Sequence, residues 1–183
     1  MELFPKQEEL RSRIEHSIAV RKSFVYEAGM RAGKTELMRA IVRSILERNL
    51  QRPVYWVGTT ANVARDSAGD LISSEFCLGP NQLRSLLDSK GSDIPDNALF
   101  VMDDVFWMDR GEALFKQLTS ASPPYLVVAY GSRSDTPWQI DAYIPKFSTW
   151  EMNPDVSADD LAGRFVQDRK KAERDFGPLP KNG

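Results

Sequence analysis

The sequence is poor in the residues that support disulfide, zinc and redox chemistry. It contains one cysteine, Cys77, and one histidine, His16. A single cysteine excludes an internal disulfide, and with a single histidine it leaves no zinc-type ligand cluster. The lone thiol suits a reducing compartment. We predict that Cys77 packs in the core, and that His16 is packed or exposed rather than catalytic.

Long apolar runs and an excess of one charge are also missing. No apolar stretch approaches the roughly 18 residues that a membrane-spanning helix needs, and no charged-then-apolar leader follows Met1. The formal net charge of −2 gives no global attraction to nucleic acid or anionic lipid, so any such contact requires a local patch. At 183 residues and 42% hydrophobic content, the sequence predicts a compact cytoplasmic domain.

Residues 28–35 predict a phosphate-binding loop, and the alternative is a chance glycine-rich turn. The segment follows the pattern G-x-x-x-x-G-K-[ST], with alanine in place of the first glycine. In such a loop, backbone N–H groups wrap a triphosphate, the lysine reaches the β- and γ-phosphates, and the threonine hydroxyl binds Mg²⁺. A strand candidate enters the loop and a helical pattern leaves it. The predicted nucleotide-binding residues are Ala28, Gly29, Met30, Arg31, Ala32, Gly33, Lys34 and Thr35.

A second chemical signal lies at residues 98–104, where an apolar strand ends in two carboxylates. This is the form of a Walker B element, which carries an acid to the carboxyl edge of a parallel sheet. We predict that Asp103 holds Mg²⁺ and that Asp104 orients and deprotonates the attacking water. The alternative is a strand that ends in a solvated acidic turn.

Strand and helix patterns alternate along the chain, which predicts an α/β fold with a mostly parallel sheet and helices on both faces. One predicted strand, near residue 55, separates the two Walker strands in sequence, as in the additional-strand, RecA-like class of P-loop NTPases. Residues 77–97 are predicted to form an exposed excursion. The predicted helices are 6–19, 61–72, 111–118 and 157–176, besides the one after the loop, and the predicted strands are 23–27, 53–57, 98–104, 124–130 and 143–147.

Three arginines are candidates for stabilising charge on the transferring phosphoryl group, an effect worth about 10³ to 10⁵ in rate. Arg31 lies within the phosphate loop and is the candidate in the same subunit. Arg110 and Arg133 follow strand tips and are candidates for an arginine finger in a neighbouring subunit. The cations of the last predicted helix alternate with acids, so a solvated face is favoured and no DNA surface is assigned there.

Together these motifs resemble the ATPase domain of the large terminase subunit of tailed bacteriophages, the motor that packages viral DNA. Phe4-Pro5-Lys6-Gln7 resembles the adenine-reading Gln motif of that family, and the arginine-bearing loop resembles its Walker A. Tyr130-Gly131-Ser132 stands at the position of its coupling motif. Thr149-Trp150-Glu151-Met152-Asn153-Pro154, followed by a charged helix, resembles the end of such domains.

The resemblance implies that ATP binds with Mg²⁺, that Gln7 pairs with the adenine edge, and that hydrolysis drives double-stranded DNA into a procapsid. It further implies a ring of subunits on the portal, a small terminase subunit as partner, and a location in the host cytoplasm. The implied ATPase domain is 1–176, with 177–183 as a tail or linker. The nuclease domain that usually follows is absent from this sequence, which implies an excised fragment or a nuclease on a separate polypeptide.

The chain departs from the family at Asp104, because terminases usually have glutamate after the Walker B aspartate. The side chain is one methylene shorter, which predicts slow turnover or replacement by another acid such as Glu112. Two rival functions remain open. One is a helicase-like or repair-type DNA translocase, and the other is a weakly hydrolysing nucleotide switch, which the short Asp104 favours.

Overall fold

A computed structural model describes residues 5–27, 33–48, 51–90 and 94–131 of the chain. These residues fall within one compact unit, Met1–Glu151. The strands are β1 (Phe24–Glu27), β2 (Val54–Val57), β3 (Cys77–Leu78), β4 (Leu99–Asp103) and β5 (Leu126–Gly131). The helices are α1 (Pro5–Ala19), α2 (Lys34–Arg48), α3 (Ala61–Ala68), α4 (Pro80–Lys90) and α5 (Gly111–Thr119). The predicted strand 143–147 and helix 157–176 lie outside the described residues.

The five strands form one sheet in the order β1-β5-β4-β2-β3, and every neighbouring pair is parallel. Strand β5 therefore lies between β1, which precedes the phosphate loop, and β4, which carries the predicted Walker B acids. In sequence, two strands separate β1 from β4 rather than the one that was predicted, because β3 was not foreseen. Parallel pairing brings the carboxyl ends of β1, β5 and β4 to the same edge of the sheet.

The sheet is buried on both sides, which explains why its strands are near-continuous apolar runs. We call its two sides the α2 face and the α5 face. The α2 face includes Phe24, Tyr26, Trp56, Val101, Val128 and Tyr130, packed against apolar residues of α1, α2 and α3. The α5 face includes Val25, Tyr55, Val57, Phe100, Met102, Val127 and Ala129, packed against α4 and α5. Asp103, two residues after Val101, continues the α2 face.

The prediction of an exposed excursion at 77–97 is wrong. Cys77 and Leu78 form the edge strand β3 and are buried, as is Leu83 of α4. The leucines of this segment are spaced so that one stripe of α4 packs into the core of the α5 face, and that packing outweighs the turn residues around it. Residues 91–93, within the turn-rich part, lie outside the described residues.

The helix predicted at 61–72 is shorter than expected. Thr60 caps its first turn by accepting a hydrogen bond from the Val63 amide. The helix ends at Ala68 because Gly69 adopts a φ of 58°, and a short 3₁₀ turn, Gly69–Leu71, follows. Among the helices of the described residues, none combines the length and apolar character that crossing a lipid bilayer requires.

Candidate nucleotide-binding site

Helix α2 starts at the end of the phosphate loop. Gly33 has a φ of 73°, a conformation that glycine adopts readily, and its carbonyl accepts a hydrogen bond from the Leu37 amide at 2.9 Å. The buried side chain of Gln7 on α1 lies against Gly33, with Nε2 3.0 Å from the position a Cβ would occupy. The structure therefore brings the candidate adenine-reading residue to the phosphate loop. Residues 28–32 lie outside the described residues.

Lys34, the first residue of α2, is half-buried close to both candidate carboxylates. Burial lowers the pKa of its ammonium group, while the charges of Asp104 and Asp103 act in the opposite direction and favour the charged form. Both candidate carboxylates therefore act electrostatically on the lysine that would meet the phosphates. The positive end of α2 starts at this point, which adds to the attraction for an anion.

Asp103 is the last residue of β4 and is 7% exposed. Burial is the largest influence on its carboxyl group and raises the pKa, and the neighbouring charge of Asp104 adds to the rise. Polar hydrogens of Ser67, Tyr130 and Trp56 approach the carboxylate and lower the pKa in partial compensation. Asp103 thus lies in a polar pocket within an otherwise apolar layer.

A pair of stacked tyrosines lies close to Asp103. Tyr26 of β1 and Tyr130 of β5 lie opposite each other in the strand register, with ring centroids 5.4 Å apart and planes 14° from parallel. The Tyr26 hydroxyl donates to the Lys34 carbonyl at 3.3 Å. Burial raises the pKa of Tyr130 well above its usual range, the Asp103 charge adds to this, and the nearby Thr35 side chain opposes it. Tyr130 therefore lies beside both candidate metal ligands, Thr35 and Asp103.

Asp104 begins the loop that leaves the sheet edge. It has a φ of 54°, a left-handed conformation that aspartate tolerates better than most residues, and it is half-buried. The next residue continues the strand pairing, since the Val105 amide donates to the Tyr130 carbonyl at 3.0 Å. The kink at Asp104 thus turns its side chain out of the strand alternation while the backbone stays fastened to β5.

The loop is also fastened to β5 by a close aromatic contact. A Cβ at Gly131 would lie 2.6 Å from Cδ2 of Phe106, so only glycine leaves room for that ring. Arg110 ends the loop as the cap residue of α5, exposed and with a φ of 55°. Trp107, which follows Phe106 in this loop, is 64% exposed.

Comparison with known proteins supports the fold and leaves the family open. No protein-family model matches the chain, and no curated protein matches it by sequence. Among solved structures, the chain is similar to the Pif1 helicase from Candida albicans, with a TM-score of 0.59 and 14% sequence identity. The match covers 99% of this chain and 46% of the helicase chain, so the chain spans less than half the length of that protein.

The chain has a RecA-like P-loop NTPase fold. The predicted α/β fold class is therefore confirmed. Strand β5, inserted between the two Walker strands, is the additional strand of this class. Tyr130, at the end of β5 and within the predicted coupling motif, lies in the sheet directly opposite Asp103, the candidate Walker B aspartate.

Within this P-loop fold, the structure brings together five of the predicted site residues and leaves others elsewhere. Gln7, Lys34, Thr35, Asp103 and Asp104 lie at one edge of the sheet, around the start of α2. Glu112, the candidate substitute acid, lies in the first turn of α5, whereas the acids that act on Lys34 are Asp103 and Asp104. The predicted site residues outside the described residues are Ala28, Gly29, Met30, Arg31, Ala32, Ser132 and Arg133.

The donors at this edge fit Mg²⁺. Magnesium in nucleotide sites is held by one or two protein oxygens together with phosphates and water, and a hydroxyl and a carboxylate from Thr35 and Asp103 flank the same tyrosine. Within the described residues, no group of three or more histidine, cysteine, aspartate or glutamate side chains could form a cage for a metal. This donor set is typical of a metal shared with a bound nucleotide.

Sequence reasoning missed three residues of the pocket: Tyr26, Trp56 and Ser67. Each lies in a segment that was correctly predicted to be a strand or a helix, but none of the three was predicted to belong to the site. Their proximity to Asp103 depends on the order of strands in the sheet and on the packing of α3 over β2. A single sequence carries no signal for either.

Proposed function

We propose that the chain is a Mg²⁺-dependent ATPase domain that drives movement along a nucleic acid. The observation that carries this proposal is the position of Lys34, at the start of α2 and close enough to Asp103 and Asp104 for both acids to act on its charge. A P-loop lysine close to two acids at the carboxyl edge of β4 is the arrangement that phosphoryl transfer from a nucleoside triphosphate requires.

In this proposal the protein supplies positioning and charge. The amides of the phosphate loop and the ammonium group of Lys34 bind the phosphates, and Asp104 orients the attacking water and accepts its proton. Thr35 and Asp103 hold Mg²⁺, which neutralises charge on the phosphates when bound. Arg31 is the proposed cation in the same subunit, and Arg110 or Arg133 the proposed finger from a neighbour. Gln7, beside Gly33, is the proposed contact to the base.

Two translocase functions compete at the finer level. The motif order resembles that of a terminase ATPase, which supports packaging of double-stranded DNA by a ring of subunits with portal, small subunit and nuclease partners. The fold is also similar to that of a Pif1 helicase, which supports a helicase-like translocase equally well. We retain both, because the residues that support ATP hydrolysis are the same in each.

Nucleic-acid stimulation of ATP hydrolysis separates the two. A packaging motor is expected to be stimulated by blunt double-stranded DNA and to leave the strands paired. A helicase-like translocase is expected to be stimulated by single strands and to displace an annealed strand. Hydrolysis assays with each DNA, with and without Mg²⁺ and over a range of protein concentrations, test both functions and any need for a neighbour's arginine. A protein that binds ATP but does not turn it over under any of these conditions would instead be a nucleotide switch.

A further inference from the structure

The α2 face contains a buried donor that the proposed reaction does not yet use. Trp56 is 0% exposed, and its Nε1–H makes no hydrogen bond of normal geometry with any described residue. The surrounding α2-face core is apolar, and buried polar hydrogens without an acceptor are rare in proteins. An unpartnered donor at this depth points to an acceptor that lies close to it.

The strand register identifies that group. Trp56 pairs with Val101 on the neighbouring strand β4, and Asp103 is two residues farther along the same face. The indole and the Ser67 hydroxyl of α3 both approach the Asp103 carboxylate, the indole from β2, the neighbour of β4 on the edge away from β5. Tyr130 approaches the same carboxylate from β5, and its buried hydroxyl also lacks a hydrogen bond of normal geometry within the described chain.

Two unpartnered donors therefore flank one carboxylate from the two strands beside it. A small rotation of the carboxylate or one bridging water completes each contact. Donors on both sides give Asp103 one orientation.

We propose that Trp56 is a positioning residue for Asp103, with its indole N–H directing the carboxylate toward the metal that Thr35 shares. This inference rests on the proposed metal-binding role of Asp103 and adds a residue from β2, a strand that otherwise contributes no group to the site. Groups that orient a metal ligand typically change metal affinity about 10- to 100-fold when removed.

The contact itself can be tested without nucleotide or metal. In the variant W107F/W138F/W150F, Trp56 is the only fluorophore of its kind, and indole emission responds to hydrogen bonding at Nε1 and to a nearby charge. Adding Asp103→Asn is expected to shift the Trp56 emission. Asp109→Asn, an exposed acid in the following loop, is the matched control and is expected to leave it unchanged. Equal spectra for the two variants would overturn the proposal.

The consequence for metal binding requires a change that removes the N–H and keeps the shape. Trp56→β-(3-benzothienyl)alanine replaces the nitrogen by sulfur at nearly constant volume, and the same change at exposed Trp107 is the control. Calorimetric titration with ADP at several Mg²⁺ concentrations is expected to show a Mg²⁺ requirement about 10-fold higher for the position-56 variant, with ADP affinity in the absence of Mg²⁺ unchanged. An unchanged Mg²⁺ requirement would overturn the proposal.

The two experiments separate this inference from the proposed function. If the unmodified protein bound no ADP, the nucleotide site would be wrong, and the emission experiment would still decide whether Trp56 contacts Asp103. If ADP bound in a Mg²⁺-dependent way, but Asp103→Asn left the Trp56 emission unchanged and the Trp56 analogue left the Mg²⁺ requirement unchanged, the nucleotide site would be supported. The positioning role of Trp56 would then be wrong.

Discussion

On the α5 face of the sheet, aromatic rings pack on one another within the apolar core, whereas on the α2 face aromatic rings also carry polar groups to the candidate site. Tyr55 stacks on Phe100 with centroids 4.9 Å apart, and Phe100 meets the edge of Tyr125 at 5.5 Å. On the other side, Tyr26 and Tyr130 stack at 5.4 Å, but their hydroxyls lie beside Lys34, Thr35 and Asp103.

This difference suggests that the α5 face contributes mainly to stability, whereas the α2 face also contributes groups to the candidate site. Rings on the α5 face gain free energy from burial and ring packing. Among the described residues, neither the Tyr55 nor the Tyr125 hydroxyl is both buried and without a hydrogen bond. The α2 face retains Trp56 Nε1 and Tyr130 Oη without hydrogen bonds in the described chain, which costs free energy of folding. Groups of that kind persist where a ligand meets them, so the face beneath α2 is the one expected to govern activity.

The sharpest test of this division is Lys34→Ala. Removing the ammonium group takes away the charge that binds the β- and γ-phosphates, so we expect no ATP turnover above background and weakened nucleotide binding. Lys116→Ala, on the exposed side of α5, is the matched control and should retain full turnover. Unchanged hydrolysis in the Lys34 variant would show that the catalytic site does not lie at the start of α2.

The next largest effect is expected for Asp104→Asn. The amide has nearly the same size and cannot accept a proton, so we expect turnover to fall by about 10²- to 10⁴-fold while nucleotide binding stays largely intact. The measurements are single-turnover hydrolysis and calorimetric binding, with Asp109→Asn as the control. If binding collapsed and the residual turnover did not, the role of Asp104 would be structural, and Glu112 would become the candidate acid to test.

Much of this site was accessible from sequence because its motifs are local. The phosphate loop and the acids after β4 are each contiguous, so spacing alone named Lys34, Thr35, Asp103 and Asp104. The carboxyl-edge rule for parallel strands then predicted that they meet. The α/β class followed from alternating strand and helix patterns for the same reason.

The rest depended on contacts between segments far apart in the chain. The edge strand β3 is two residues long, too short for any periodicity, and the turn residues after it resembled a loop. The indole N–H of Trp56 lies near Asp103 only because β2 is the neighbour of β4 in the sheet. Strand β5 is the last described strand along the chain, yet it lies between β1 and β4 in the sheet. Tertiary packing sets these features, and single-residue propensities do not encode them.

On the α5 face we expect a large effect on stability and none on chemistry. Phe100→Ala removes a fully buried ring that packs against Tyr55 and Tyr125, so we expect the free energy of unfolding to fall by about 3 to 5 kcal/mol. Urea unfolding measures this loss, and Trp107→Ala, at an exposed aromatic residue, should cost far less. The nucleotide affinity of the folded fraction should match that of the parent. A specific loss of affinity would show that the two faces are not separate in function.

The smallest change, Tyr130→Phe, is expected to separate the two faces most cleanly. It deletes one buried hydroxyl that has no hydrogen bond of normal geometry in the described chain, so the free energy of unfolding should change by less than about 1 kcal/mol. Because that hydroxyl lies beside Thr35 and Asp103, we expect the Mg²⁺ requirement for ATP hydrolysis to rise about 10-fold. Tyr55→Phe removes the corresponding atom from the α5 face and should leave the Mg²⁺ requirement unchanged. Equal behaviour of the two variants would mean that the polar groups of the α2 face serve packing alone.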